Sequence, residues 1–317
     1  MLNWIVIGIG DITRKRVIPG ILAEPRSHLY GVVTRDPGKA AAYNVKSWTR
    51  LEDALDDSSI DAVYVASPVF LHSEQTITAL RAGKHVLCEK PVAMDYQQAS
   101  EMQRVAEKTG KTLGIAYYRR MYPKVRRAME LLAAGVIGKP VLAEINCRDW
   151  FNDEAGTRTW LLDPAKSGGG PLYDIASHRI DLLNFFFGAP ARAAGFVSNL
   201  VHLNSVEDNA TVLVDYESGV RGIVDVRWHC RIPSDEFRII GIEGTIDLSP
   251  LNGPGLVYPG GSEQLPPHAN LHFPCIENFV SAVLTGAPLA ASGKSSLATS
   301  LITGWVTNDA GVRYHGI

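Results

Sequence analysis

Trp4-Ile5-Val6-Ile7-Gly8-Ile9-Gly10-Asp11-Ile12-Thr13 is the stretch that decides the fold. Its four leading apolar residues read as a short buried strand, and a helical pattern follows through Val17–Ala23. A strand, a glycine turn and a helix in that order make a dinucleotide cradle. Gly8 permits the tight turn, Gly10 lets a pyrophosphate approach the backbone, and the helix start presents free N–H groups to negative charge. Ile9, Asp11 and Ile12 complete the expected cofactor loop. Thr13 replaces the third glycine of the usual pattern, which predicts a slightly wider strand–helix separation. The bland alternative is a βα turn that binds nothing.

Reading outward, strand and helix patterns alternate. Strands are expected at Leu29–Val33, Ala62–Ala66, His85–Cys88 and Thr112–Ala116. Helices are expected at Pro37–Tyr43, at Leu71–Ala82 with Gly83 as its stop, and at Tyr96–Lys108 with Asp95 as N-cap and Gly110 as exit. Such βα units imply a doubly wound parallel sheet, an α/β Rossmann domain over residues 1–121. After Pro123 the pattern changes. A helix at Lys124–Ala134 leads into a strand at Val141–Cys147. A hairpin follows, Thr211–Tyr216 and Val220–Trp228 around Glu217-Ser218-Gly219. A second turn, Ile242-Glu243-Gly244, joins Phe237–Gly241 to Thr245–Leu248. Residues 122–317 therefore read as an α+β domain with an antiparallel or mixed sheet. Ser249–Pro267, rich in proline and glycine, is expected to be a surface loop, and Cys275–Leu284 a helix.

The chain has 317 residues, 46% of them apolar, and a formal net charge of −2. That length suits about two domains. Without a basic block, nucleic acid is excluded as an expected partner. Cys88, Cys147, Cys230 and Cys275 are scattered with no CxxC pair, which predicts reduced, buried thiols and neither disulfides nor a metal site. The N-terminus opens directly on a strand with no export signal, and no apolar run is long enough for a bilayer. A cytoplasmic location is expected.

Thr34-Arg35 ends the second strand, with Asp36 one step later. An arginine there can neutralise a 2′-phosphate, so NADP is preferred over NAD; in the alternative, Asp36 takes the ribose. Ser67-Pro68 ends the third strand, and His72 is expected to touch the nicotinamide half of the cofactor or else to pack. Glu89-Lys90-Pro91 ends the fourth strand, where open α/β sheets bind ligands, so Lys90 is placed to act on a substrate.

Gly168-Gly169-Gly170 reads as a flexible approach to a helix that starts near Pro171 and exits at Gly188. Asp174, His178 and Asp181 interrupt its apolar pattern at spacings of four and three, which puts them on one helical face. Asp174 can reach His178 across one turn and raise its basicity, giving a proton-transfer pair if placed beside Lys90. The alternatives are a solvated stripe, or an ion pair with Arg179 or Arg192.

On these motifs the chain resembles the glucose–fructose oxidoreductase/inositol dehydrogenase (Gfo/Idh/MocA) family. The likeness lies in the opening turn and in Ala79-Leu-Arg-Ala-Gly-Lys-His-Val-Leu-Cys-Glu-Lys-Pro91. It extends to Tyr117-Tyr118-Arg119-Arg120-Met121-Tyr122-Pro123, Ser167-Gly-Gly-Gly-Pro-Leu-Tyr-Asp174-Ile-Ala-Ser-His178 and Glu243-Gly244-Thr245. The resemblance implies a Rossmann domain and a second domain with a large open, mostly antiparallel sheet that pairs with another subunit, giving a homodimer or homotetramer. It implies NAD(P)-dependent oxidation or reduction of a sugar, cyclitol or related polyol. Lys90, Asp174 and His178 match the family's catalytic lysine, aspartate and histidine. Glu89 belongs to the cofactor motif, and Arg120 falls at a substrate-side arginine. Tyr118, Trp150 and Trp160 are expected to line the pocket. Two departures stand out: Val69 where the family often has asparagine, and Trp160-Leu161 where it often has Trp-Arg. The tail after Leu297 also departs from the family's terminal helix. A non-catalytic NAD(P)-sensing regulator and a redox-neutral NAD-dependent glycosidase are the rival readings. Lysine, aspartate and histidine together favour an enzyme.

Overall fold

In the computed structural model, which describes residues 1–154 and 156–309, the chain forms two compact units. One comprises Met1–Tyr118 with His268–Leu297, the other Arg119–Pro267 with Ala298–Asp309. The boundary expected at 121/122 takes no account of the return of residues 268–297 to the first unit. That return has an apolar cause. Helix α9 (Phe273–Thr285) buries Cys275, Ile276, Phe279 and Val280, and Phe279 meets Trp4 of the first strand at 5.2 Å between ring centres.

The first unit holds six parallel strands: β1 (Leu2–Ile7), β2 (Ser27–Val33), β3 (Lys46–Trp48), β4 (Ala62–Val65), β5 (His85–Cys88) and β6 (Leu113–Ile115). They lie in the order β3-β2-β1-β4-β5-β6. Helices α1 (Ile18–Ala23), α2 (Pro37–Ala41), α3 (Leu51–Leu55), α4 (His72–Arg81) and α5 (Tyr96–Thr109) alternate with them. The order reverses between β1 and β4, which opens the crevice at their carboxyl ends where such sheets bind ligands. The sheet is fully buried at its centre, with Ile5, Val63, Val65 and Val86 at 0% exposure, as expected of parallel strands covered on both faces. The caps at Asp95, which accepts from Gln98 N, and at left-handed Gly110 are as the sequence predicts. Strand β3 and helix α3 are additions to the predicted set. Lys46 and Ser47 of β3 are exposed, so it lacks an apolar run.

The second unit carries an eight-stranded sheet: β7 (Pro140–Trp150), β8 (Pro190–Ser198), β9 (Asn209–Tyr216), β10 (Arg221–Arg227), β11 (His229–Gly241), β12 (Thr245–Asp247), β13 (Gly255–Tyr258) and β14 (Gly261–Gln264). Their order is β14-β13-β12-β11-β7-β10-β9-β8. β7 and β10 pair in parallel, and the other neighbours are antiparallel. Helices α6 (Pro123–Ala133), α7 (Pro164–Ser167) and α8 (Ser177–Phe187) belong here, and α10 (Gly293–Asp309) runs on into this unit. One sheet face buries Ala143, Ile145, Val212, Val214, Val224 and Phe237 beneath α8, whose Phe186 meets Phe237 edge-on at 5.7 Å. The opposite face leaves Phe196 82% and Leu213 46% exposed.

Two expectations are corrected. Ser249–Pro267 is not only a loop, since β13 and β14 form there. The buried Lys124 amine donates to the carbonyls of Leu248 (2.6 Å), Pro250 (2.6 Å) and Gly255 (3.3 Å) in that region. The tail after Leu297 continues as helix α10 through Asp309, and its last eight positions, 310–317, lie outside the described residues.

Candidate active site

The cofactor end is built at the carboxyl ends of β1, β2, β4 and β5. Gly8 has φ +85°, and a Cβ there would lie 2.8 Å from the Ala66 carbonyl oxygen of the loop after β4. Only glycine fits so close an approach of two crevice loops. A Cβ at Gly10 would meet nothing within 4 Å, which leaves the backbone of the turn open to a phosphate. Thr13 is fully buried and its hydroxyl donates to the Gly8 carbonyl at 2.8 Å, so it closes the turn that a third glycine would otherwise pack. The helix then starts with a widened turn over Thr13–Val17, a local irregularity that recurs at functional sites. Ile9 is buried and Ile12 half-buried. Asp11 is exposed and paired with Lys15 (2.9 Å) and Arg14 (2.7 Å), which hold its carboxyl below the usual range. Its charge is thereby compensated beside the phosphate position. These residues fit a dinucleotide pyrophosphate.

At the end of β2, Thr34 N–H donates to the Trp48 carbonyl and its hydroxyl accepts from Asp36 N–H at 3.2 Å. The Asp36 carboxylate accepts from Gly38 N–H at 3.0 Å, capping α2. Arg35 is exposed. At the end of β4, the Ser67 hydroxyl donates to Gln75 Oε1 at 2.7 Å, Pro68 leads into a tight turn over Val69–Leu71, and Val69 is buried.

His72 differs from its expected contact with the nicotinamide. Its ring is 1% exposed, with Nδ1 2.8 Å from the Pro91 carbonyl and Nε2 2.9 Å from the Ser67 carbonyl. It lies between two crevice loops, and burial lowers its pKa, so the neutral ring donates its single N–H to one of the two carbonyls. Glu89 likewise faces inward. One carboxylate oxygen accepts from the Tyr64 hydroxyl at 2.8 Å and from His272 Nε2 at 3.0 Å; the other accepts from Lys90 N–H at 3.2 Å. Burial pushes the Glu89 carboxyl up, but the His272 and Tyr64 contacts outweigh it and the net shift is downward. Lys90 is half-buried, and its peptide bond to Pro91 is cis. Tyr118 is buried, its ring 4.6 Å from that of His272.

In the second unit the three glycines are not a flexible approach. A Cβ at Gly168 or Gly169 would fall 2.7 or 2.5 Å from the Tyr173 ring, and one at Gly170 would fall 2.0 Å from the Glu207 carbonyl oxygen. They are close-packing positions. A widened turn over Leu172–Ala176 follows before α8 begins. Asp174 lies within this turn, and His178 is the second residue of α8. Asp174 is half-buried and 3.3 Å from Arg158; His178 is buried. Asp181 takes no part with Arg179 or Arg192. It accepts two hydrogen bonds from Arg120, Nε to Oδ2 at 2.8 Å and Nη2 to Oδ1, with both side chains buried. Burial pushes the Asp181 carboxyl up against the pull of Arg120. Arg179 instead reaches Asp235 at 2.8 Å and the Ile175 carbonyl at 3.0 Å, bracing the widened turn. Trp150 lies under the Arg231 guanidinium at 3.9 Å and beside His202 at 4.8 Å. Trp160 packs, half-buried, on the cluster of Phe151, Leu161, Val206 and Trp228.

The sequence reading missed Tyr64, His272 and Glu207. Glu207 is buried and accepts from Leu172 N–H at 3.1 Å, capping the turn that carries Asp174. The thiols of Cys88, Cys147 and Cys275 are buried, and Cys230 is half-buried. Among the described residues no group of three His, Cys, Asp or Glu is placed to hold a metal ion, and no helix is long and apolar enough to cross a membrane.

Comparison with known proteins agrees with this architecture. Residues 2–117 match the oxidoreductase family with an NAD-binding Rossmann fold, and residues 125–247 match the GFO/IDH/MocA C-terminal domain. A 1,5-anhydro-D-fructose reductase of Ensifer adhaerens is 31% identical over 318 residues, covering 95% of each chain. A D-xylose 1-dehydrogenase [NADP(+)] of Haloarcula marismortui is 26% identical over 261 residues, covering 78% of this chain and 72% of its own. The aldose-aldose oxidoreductase of Caulobacter crescentus shares the fold with a TM-score of 0.87 at 23% identity, covering 98% of this chain and 97% of its own. With both domains matched in order, the chain belongs to the Gfo/Idh/MocA family of NAD(P)-dependent oxidoreductases and is a dehydrogenase or reductase.

Proposed function

We propose that the protein prefers NADP and interconverts a secondary alcohol and a ketone on a sugar, cyclitol or related polyol. The observation that carries the cofactor preference is the use of Asp36. Its carboxylate caps α2 through Gly38 N–H, so it is engaged where an NAD site would offer an acid to the ribose. Arg35 beside it is exposed and supplies a permanent charge for a 2′-phosphate. Gly8, Ile9, Gly10, Asp11 and Ile12 would hold the pyrophosphate, and Thr34, Ser67 and Pro68 would border the ribose and nicotinamide halves. When bound, the nicotinamide supplies or accepts the hydride at its C4.

In this reading His178 removes the hydroxyl proton during oxidation and returns it during reduction. The Lys90 ammonium stabilises the developing alkoxide, the kind of preorganised charge that commonly dominates catalysis. Asp174 orients His178 and binds a substrate hydroxyl. Tyr118, Trp150 and Trp160 line the sugar site. Arg120 supports it through Asp181 rather than offering a free guanidinium. The open sheet face with Phe196 and Leu213 pairs with a second copy of the chain.

The test is turnover of NADPH and NADH with 1,5-anhydro-D-fructose, and of NADP and NAD with D-xylose and inositols. Lys90→Met and His178→Ala should each abolish turnover while the cofactor still binds, and Arg35→Asp should reverse the NADP preference. Turnover that persists in both active-site variants removes their roles. An unchanged cofactor ratio in Arg35→Asp removes the NADP assignment.

A further inference from the structure

We propose that His272 is a positioning residue for Lys90, acting through the carboxylate of Glu89. The proposal rests on the reading of Lys90 as a catalytic group. Lys90 sits in a turn whose backbone is held from both sides. Its own N–H donates to Glu89 at 3.2 Å, and the carbonyl of Pro91, one residue on, is 2.8 Å from His72 Nδ1. Each clamp is a buried side chain, with Glu89 7% and His72 1% exposed.

The Glu89 clamp is aimed by two donors on its other oxygen. One is the Tyr64 hydroxyl at 2.8 Å, and the second is His272 Nε2 at 3.0 Å. The imidazole of His272 is 1% exposed, and its Nδ1 has no hydrogen-bond partner among the described residues. A buried N–H without an acceptor is costly. Nε2 therefore carries a proton toward the carboxylate. The Tyr118 ring at 4.6 Å fixes the plane of the imidazole.

This arrangement is more than core packing, because a buried carboxylate must be fully hydrogen-bonded to remain charged and in place. Glu89 has three donors, and its carboxyl stays below the usual range despite burial. Removing the His272 donor leaves one oxygen with Tyr64 alone. The carboxylate then gains by rotating or by taking a proton, and either change releases Lys90 N–H and loosens the turn. The loss appears at Lys90.

The test compares His272→Leu, which removes the donor, with His272→Gln, whose amide can keep one near Nε2. Hydrogen exchange on the full-length protein without cofactor reads the turn directly. His272→Leu should speed exchange of the Lys90 amide about 10-fold or more, and His272→Gln should leave it near the parent rate. With a substrate from the panel above, His272→Leu should lower kcat by about 10- to 100-fold, the scale of a small misplacement, with KM and NADPH affinity little changed. His272→Gln should recover most of that loss. In a Lys90→Met background His272→Leu should add little further loss, because both act through one group. Equal damage from Leu and Gln, or unchanged Lys90 exchange, overturns the proposal. Should His272→Leu fail to accumulate, His272→Asn withdraws the donor while staying polar, and the same readings apply. Normal turnover in Lys90→Met would instead overturn the catalytic reading of the lysine, and the exchange data would still decide whether His272 holds the turn.

Discussion

Glu207 gives a pH dependence whose sign and size follow from its surroundings. Burial pushes its carboxyl from an ordinary 4.5 up to about 7, against the N–H groups of Gly170 and Leu172 that favour the charge. The folded protein thus keeps a proton that the unfolded chain has released between those two values. Its contribution to stability is fully present below pH 4.5 and is lost as pH rises through about 7. A shift from 4.5 to about 7 corresponds to roughly 3 kcal/mol at 1.36 kcal/mol per unit.

Glu207→Gln isolates this effect, because every other titrating group is shared by the two proteins. The absolute stability of the variant depends on how its amide meets the same N–H donors. The difference between variant and parent need only change with pH. Urea unfolding followed from pH 4.5 to 8 should show the variant gaining about 3 kcal/mol on the parent, with the steepest change near 1.4 kcal/mol per pH unit. In thermal scans that gain corresponds to about 6–12 °C for a unit of this size. A difference that stays flat across the range would refute the reasoning and place an ordinary, solvated carboxyl at this position.

Asp181→Leu should destabilise the protein by about 3–5 kcal/mol, because it strands the buried Arg120 guanidinium. Arg120→Met combined with Asp181→Leu should recover most of that loss, as thermal unfolding can show. Gly8→Ala should weaken NADPH binding at least about 10-fold in a fluorescence titration, since a left-handed backbone and the Ala66 carbonyl both oppose the added Cβ. Phe196→Glu should lower the mass observed by sedimentation to that of a single chain, because it places a charge on the open face of the second sheet.

The parts of this protein that were legible in its sequence carry their signal within one short window. β1 and its glycine turn, β5, and the capped helix α5 each announce themselves through a run of apolar residues, a turn residue or a cap. β3 (Lys46-Ser47-Trp48) and β14 (Gly261-Ser262-Glu263-Gln264) carry no apolar run, and β13 lies inside a proline- and glycine-rich stretch; each forms because a neighbouring strand offers its edge. The same divide runs through the site. Lys90, Asp174 and His178 stand out as polar residues in apolar stretches. Their supports do not. Nothing local to Leu271-His272-Phe273 shows that the imidazole meets Glu89, and nothing local to Gly168-Gly169-Gly170 shows that Tyr173 and Glu207 fill the space their side chains would take.

That divide has a physical origin. A residue that performs chemistry must contrast with its immediate surroundings, and the contrast is visible in one dimension. A supporting residue must complement a partner, and the partner is fixed only by the fold. His72 shows the ambiguity within a single side chain. At the start of a helix beside a crevice, it reads equally well as a cofactor contact or as packing. Its burial against the carbonyl oxygens of Ser67 and Pro91 favours the packing reading. The departure at Val69 is resolved in the same way. Where an asparagine would present an amide, this chain buries a valine. The expected consequence is a crevice whose geometry depends on buried histidines, and His72→Leu should therefore loosen the loop, at Ser67 or at Pro91, whose carbonyl accepts the His72 N–H. Hydrogen exchange that rises in neither loop would show that His72 fills space without holding them.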